Sequence, residues 1–186
     1  MTGSRLVLMD RDGVVVVNRR TSIKSPAGLT FIPGVPAAIR RLTTAGIKVA
    51  ICTNQPEVAR GIISREQLNH VHAALQAKLA AEGALVDLVL CSTSITKSPC
   101  LKPGPGMIRQ ALAHYDADAA VTPFIGDQLD DLQAAFHAGC PRILVLTGLG
   151  RKTLTGGMPD YVQPVLVAED LSAAVESILA MQPRGR

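Results

Sequence analysis

Leu6-Val7-Leu8-Met9-Asp10-Arg11-Asp12-Gly13 decides how the rest of the chain is read. Four consecutive apolar residues with no polar alternation describe a strand buried on both faces, as in a parallel sheet covered by helices. The run then stops at two carboxylates and a glycine. The same grammar recurs downstream. Lys48–Cys52, Val86–Cys91, Val121–Ile125 and Arg142–Leu146 read as further strands. Between them lie stretches with helical periodicity and helix punctuation. Val35–Ala45 carries Pro36 in its first turn and Gly46 as its stop; Ser64 caps a long helix running to Glu82, closed by Gly83. Leu68, Val71, Leu75 and Leu79 give that helix one apolar stripe. Pro105–Tyr115, Asp130–Ala138 and Leu171–Met181 read as helices, residues 160–167 as a region holding a short edge strand, and residues 182–186 as a frayed tail. Strands alternating with helices predict a Rossmann-like α/β fold, a parallel sheet flanked by helices, with residues 1–186 forming one domain.

Composition agrees. Of 186 residues, 47% are hydrophobic and only 3% aromatic, so the core is aliphatic. The net charge of +4 is scattered, with no basic run longer than two residues and no interleaved aromatics. That argues against nucleic acid and for a small anionic substrate. No stretch approaches the roughly 18 apolar residues a membrane span needs. Four cysteines without a Cys-x-x-Cys pair, and no secretory leader at the start, lead us to expect a cytoplasmic protein.

In open parallel sheets, ligands bind at the carboxyl ends of the strands. The polar residues of interest fall there. Asp10 and Asp12 follow the first strand, Thr53 and Asn54 the second, Lys102 the third, and Asp127, Asp130 and Asp131 the fourth. Carboxylates gathered on one rim repel each other and call for a divalent cation, and all-oxygen ligands suit magnesium. A carboxylate can also serve as a nucleophile toward phosphorus. Thr53 and Asn54 can donate to phosphate oxygens, and Lys102, before the stiff Pro103-Gly104-Pro105-Gly106 turn, is a compact charge suited to phosphate. Asp127 is placed to ligate a metal; Asp131 either joins it or orients Lys102. Each feature has a plain structural counterpart: an Asp-Gly turn, a strand-end cap, a solvated lysine, or an acid complementing a helix dipole, the reading preferred for Asp130.

Taken in order, Asp10-x-Asp12-Gly13-Val14, Thr53, Lys102 and Gly126-Asp127-x-x-x-Asp131 resemble the four motifs of the haloacid dehalogenase (HAD) superfamily. Asp10-Arg11-Asp12-Gly13, Thr53-Asn54-Gln55, Ala59-Arg60-Gly61 and Lys102-Pro103-x-Pro105-Gly106-Met107 narrow the likeness to the heptose 1,7-bisphosphate phosphatase family, with histidinol-phosphate phosphatases as near relatives. The resemblance implies a HAD fold without a large cap domain. Asp10 would attack phosphorus, and Asp12 would protonate the leaving oxygen and then activate water. Magnesium would be held by Asp10, the Asp12 carbonyl and Asp127. Thr53, Asn54 and Lys102 would bind the phosphoryl group, and Arg60 would reach the substrate or its second phosphate.

Two departures stand out. Family members often carry a zinc loop before the lysine. Here Cys91 and Cys100 match its first and last positions, but Thr93 and Ser98 replace the others, so zinc is not expected. Leu101 stands where many members have arginine. The expected partners reduce to a small phosphorylated sugar, acted on by a monomer. His70 and His72 read as surface or packing residues, Cys52 and Cys140 as buried apolar ones, and the loop holding Arg19, Arg20 and Lys24 as a small flap. The competing readings are a histidinol-phosphate phosphatase and a catalytically silent protein that binds phosphate esters.

Overall fold

The structure, a computed structural model, describes residues 5–18 and 22–181. Arg19, Arg20 and the 182–186 tail therefore lie outside the described residues. Six strands form one all-parallel sheet: β1 (Leu6–Met9), β2 (Lys48–Asn54), β3 (Leu88–Ser92), β4 (Phe124–Gly126), β5 (Arg142–Val145) and β6 (Val165–Ala168). Their spatial order is β3-β2-β1-β4-β5-β6. The chain builds outward from β1 in one direction, then returns to its other side and builds the opposite way. β1 and β4 thus flank the switch point, where open parallel sheets leave a crevice at the strand ends.

Helices cover both faces. α1 (Val35–Thr44), α2 (Arg65–Ala81) and α6 (Leu171–Ala180) pack on one side, where Ile39, Leu75 and Val175 meet Val7, Met9 and Ile51. α3 (Gly106–Tyr115) and α4 (Leu129–Ala138) pack on the other, where Ile108 and Ala135 meet Leu6, Leu8 and Phe124. Alternate residues of β1 feed opposite cores, and all four are buried. This is why the strand reads as an unbroken apolar run. Ser64 caps α2, accepting from Gln67 N–H while the Gln67 side chain accepts from Ser64 N–H. That reciprocal pair fixes where α2 begins.

Two strand starts and one helix depart from expectation. β3 starts at Leu88 rather than Val86, whose carbonyl accepts from Gln76 Nε2 of α2 at 3.0 Å. β4 starts at Phe124 rather than Val121. Pro123 has no N–H for the ladder, and Ala119–Val121 form a 3-10 turn with Val121 exposed. A short helix, α5 (Gly150–Gly156), follows β5 in a stretch that reads as loop from sequence. After Asp10 the chain turns back, so that Val16 pairs antiparallel with Phe31 and Val17 N–H donates to Thr30 O. The loop between, expected as a flap, leans on α2 where Lys78 Nζ donates to Pro26 O. The connections leave no room for a large cap domain.

Candidate active site

Asp10 continues β1 by one residue, its N–H donating to Ile125 O of β4. Lys102 arrives from the loop after β3 and lies buried between two carboxylates. Its ammonium donates to Asp131 Oδ1 at 2.6 Å and stands 2.8 Å from Asp10 Oδ1. The second contact is an ion pair only, because Asp10 Oδ1 has no directed hydrogen bond. Burial alone would drive the Lys102 ammonium toward neutrality, but Asp10 and Asp131 outweigh it and hold it above its ordinary range. Asp131 Oδ2 accepts from the N–H groups of Asp127 and Gln128 at 3.2 and 3.1 Å, pinning the turn into α4. Of the two sequence readings of Asp131, the geometry favours orienting Lys102: one oxygen holds the lysine and the other the turn. Asp130 is exposed in the first turn of α4, as suits an acid at a helix N-terminus.

Asp127 is fully buried. Oδ2 accepts from Leu149 N–H at 2.7 Å, while Oδ1 has no partner. Burial pushes its carboxyl up to about 7, against the Leu149 bond and with help from Asp131 and Asp10. A buried carboxylate oxygen without a donor is costly. Oxygens of Asp10, Asp127 and Asp131 lie within 4.8 Å of one another. Asp131 has both oxygens engaged, whereas Asp127 Oδ1 has no partner and Asp10 Oδ1 meets only the Lys102 charge. The Asp10 and Asp127 carboxylates fit a hard divalent cation.

Thr53, next to last in β2, is buried, its hydroxyl accepting from Gln55 Nε2 at 2.9 Å. Asn54 faces elsewhere than expected. Its carboxamide donates to Lys102 O and accepts from Lys102 N–H, both at 3.1 Å, so it clamps the lysine loop. Arg60 sits exposed on the turn after β2, outside the buried cluster. Cys91 and Cys100 are engaged by Arg65 and Gln110, respectively, and Arg65 also donates to Thr93 Oγ1 at 2.7 Å. Cys52 and Cys140 are buried, their thiols pushed up to about 12 by desolvation, as inert packing residues.

Sequence reading gave no site role to Arg11, Gln55, His72 or residues 147–150. Arg11 and Gln55 both donate to Asp12 Oδ2, at 3.0 and 2.9 Å. His72 is buried against Arg11, the packing alternative of the two readings given for it. Its position was legible: residue 72 is four after Leu68 and three before Leu75, hence beside the apolar stripe. The last contributor is Thr147-Gly148-Leu149-Gly150. Thr147 Oγ1 donates to Gly13 O at 2.6 Å and Leu149 N–H holds Asp127. A Cβ on Gly148 would lie 2.1 Å from Asp127 Oδ2 and 2.5 Å from Gly13 Cα.

Residues 5–135 match the polynucleotide kinase 3 phosphatase family and residues 99–174 the HAD-hydrolase-like family. The chain belongs to the haloacid dehalogenase superfamily. This HAD phosphatase is 43% identical over 178 residues to the D-glycero-beta-D-manno-heptose-1,7-bisphosphate 7-phosphatase of Bordetella bronchiseptica, covering 94% of this chain and 98% of that one. The Pseudomonas putida protein of the same name is 36% identical, covering 94% and 99%. A crystal structure of the D,D-heptose 1,7-bisphosphate phosphatase from B. bronchiseptica, complexed with magnesium and phosphate, superposes with a TM-score of 0.89 at 41% identity, covering 96% of this chain and 99% of that chain. The HAD chain is accordingly a phosphoric monoester hydrolase. No helix among its described residues is long and apolar enough to cross a membrane.

Proposed function

We propose that the chain removes the C7 phosphate of a D-glycero-D-manno-heptose 1,7-bisphosphate in a magnesium-dependent reaction that passes through an aspartyl-phosphate on Asp10. The observation that carries this reading is the Asp10–Lys102–Asp131 arrangement beside the orphaned Asp127 oxygen at the switch point. The names of the relatives supply the sugar; the geometry supports the chemistry.

Asp10 is the nucleophile. It is held by strand geometry on one side and by the Lys102 charge on the other. Lys102 and the Thr53 hydroxyl take the phosphoryl oxygens, and Asn54 keeps the lysine loop in place. Asp12 gives a proton to the leaving sugar oxygen, then takes one from the water that attacks the aspartyl-phosphate. Burial, opposed by Arg11, leaves its carboxyl above its ordinary value, which suits an acid. Magnesium, held by Asp10, Asp127 and the Asp12 carbonyl, supplies charge neutralisation among the carboxylates and the phosphoryl oxygens. Arg60, exposed on the rim, is available to the second phosphate. The 186 residues work as one domain, and zinc has no part.

Phosphate release from both heptose 1,7-bisphosphate anomers, histidinol phosphate and simple sugar phosphates, with and without magnesium, tests the reading. Magnesium-dependent turnover concentrated on one bisphosphate is expected. Turnover of histidinol phosphate alone would transfer the assignment to that substrate. Phosphate-ester binding without release by a folded, magnesium-loaded protein would overturn the reading.

A further inference from the structure

We propose that His72, acting through Arg11 and together with Gln55, is a positioning residue that fixes the Asp12 carboxyl for proton transfer. This rests on the reading of Asp12 as the acid and base.

Arg11 is 2% exposed, among the largest fully buried side chains of the protein. A buried guanidinium is tolerable only if its donors are used. They are used in three directions. Nε donates to Asp12 Oδ2 at 3.0 Å and Nη2 forms an ion pair with the same oxygen at 2.8 Å. Nη2 also donates to Gln55 Oε1 at 2.8 Å, and Nη1 meets His72 Nε2 at 3.0 Å. Arginine can only donate, so His72 Nε2 must present its lone pair and carry its proton on Nδ1. Desolvation and the Arg11 charge push His72 down to about 4, so the ring is neutral wherever the enzyme is expected to work.

Gln55 closes the circuit, with Nε2 donating to Asp12 Oδ2 and to Thr53 Oγ1, both at 2.9 Å. The described donors to Asp12 all converge on Oδ2, which leaves Oδ1 as the oxygen to meet the substrate. The anchor of the circuit is α2, whose Leu68, Val71 and Leu75 are wholly buried on either side of His72. Removing His72's acceptor strands the Nη1 donor in a dry site. The guanidinium then gains a reason to turn away, and Asp12 loses its fixed rotamer. The loss should fall chiefly on proton transfer, because Lys102 and Asp127 have separate supports and Thr53, though bonded to Gln55, is held by β2.

The test is kcat/KM on two magnesium-supported substrates, a sugar phosphate and p-nitrophenyl phosphate, for the wild type, His72→Leu, His72→Gln and Asp12→Asn. The sugar oxygen needs a proton to leave; nitrophenolate does not. In His72→Leu a ~10–100-fold loss on the sugar ester is expected, with p-nitrophenyl phosphate within ~3-fold. His72→Gln, which restores an acceptor, stays within ~3-fold on both. An equal loss on both esters, or full sugar-ester activity in His72→Leu, overturns the proposal. If Asp12→Asn keeps sugar-ester activity, the acid–base reading falls and the network with it. If only His72→Leu keeps it, the network alone falls. Should His72→Leu fail to fold, His72→Met, similar in volume and without a nitrogen or oxygen acceptor, carries the same comparison.

Discussion

Gly148→Ala should injure both stability and catalysis, by amounts that Gly46→Ala separates. Both glycines have positive φ, 56° and 70°. An alanine at either pays the left-handed cost of ~1–2 kcal/mol, offset by ~0.4–1 kcal/mol from a stiffer unfolded chain. Around Gly46 nothing lies within 4 Å of the added Cβ, so its variant should lose only ~0.5–1 kcal/mol. At Gly148 the Cβ would meet Asp127 Oδ2 at 2.1 Å and Gly13 Cα at 2.5 Å. Neither is a flexible chain end: Asp127 is tied to Leu149, and Gly13 to Thr147. Overpacking of this kind adds ~1–3 kcal/mol, for a total of ~2–4. Relieving the contact moves Asp127 by about an ångström, and displacement on that scale costs ~10²-fold in rate. Urea denaturation and phosphate release on the two variants are the assays. If Gly148→Ala matches Gly46→Ala in stability and the wild type in turnover, the 147–150 segment does not hold the site as described.

Three other outcomes follow from the same contacts. Lys102→Met removes the charge shared by Asp10 and Asp131 and should cost ~3–5 kcal/mol in stability and at least ~10²-fold in kcat; denaturation midpoints with activity within tenfold of wild type would contradict it. The Asp127 carboxyl is raised to about 7, so its ionised form is disfavoured in the fold and stability is lost as pH rises from its ordinary 3.8 through 7. Asp127→Asn should therefore be ~1–3 kcal/mol more stable than wild type at pH 8 without metal, yet inactive, and magnesium should stabilise only the wild type; a less stable metal-free variant in thermal melts would refute this. His72 is lowered from 6.5 to about 4, so the unfolded chain takes up its proton first and stability falls as pH drops through that window. Between pH 7 and 4.5 the wild type should lose ~2–3 kcal/mol more than His72→Gln in urea titrations, and equal losses would deny His72 its buried, neutral state.

The fold was legible because β1 and β2 are buried on both faces and carry no polar alternation to blur the pattern, and because Ser64, Gly46 and Gly83 punctuate the helices in the ordinary way. β4 was misplaced by three residues because apolarity at Val121 does not reveal a proline's missing donor two positions later. α5 was missed because Gly150, Gly156 and two threonines give it little intrinsic helix preference. At the site, the carboxylates and Lys102 announced themselves through chemistry at strand ends. Thr147–Gly150 did not, because it works through a backbone N–H and the absence of a Cβ, neither of which a residue type advertises. Arg11 reads as a spacer between two aspartates, and His72 as one more helical histidine. Only the packing of α2 against the β1 end brings the two within 3.0 Å.

Trapping the covalent intermediate tests the central claim most directly. The bisphosphate carrying radiolabel in its C7 phosphate is mixed with the magnesium-loaded enzyme and quenched in acid within one turnover. The account predicts protein-bound label in the peptide containing Asp10, lost on hydroxylamine treatment and absent from Asp10→Asn. Turnover of the bisphosphate at the normal rate with no label on Asp10 at any quench time would contradict it.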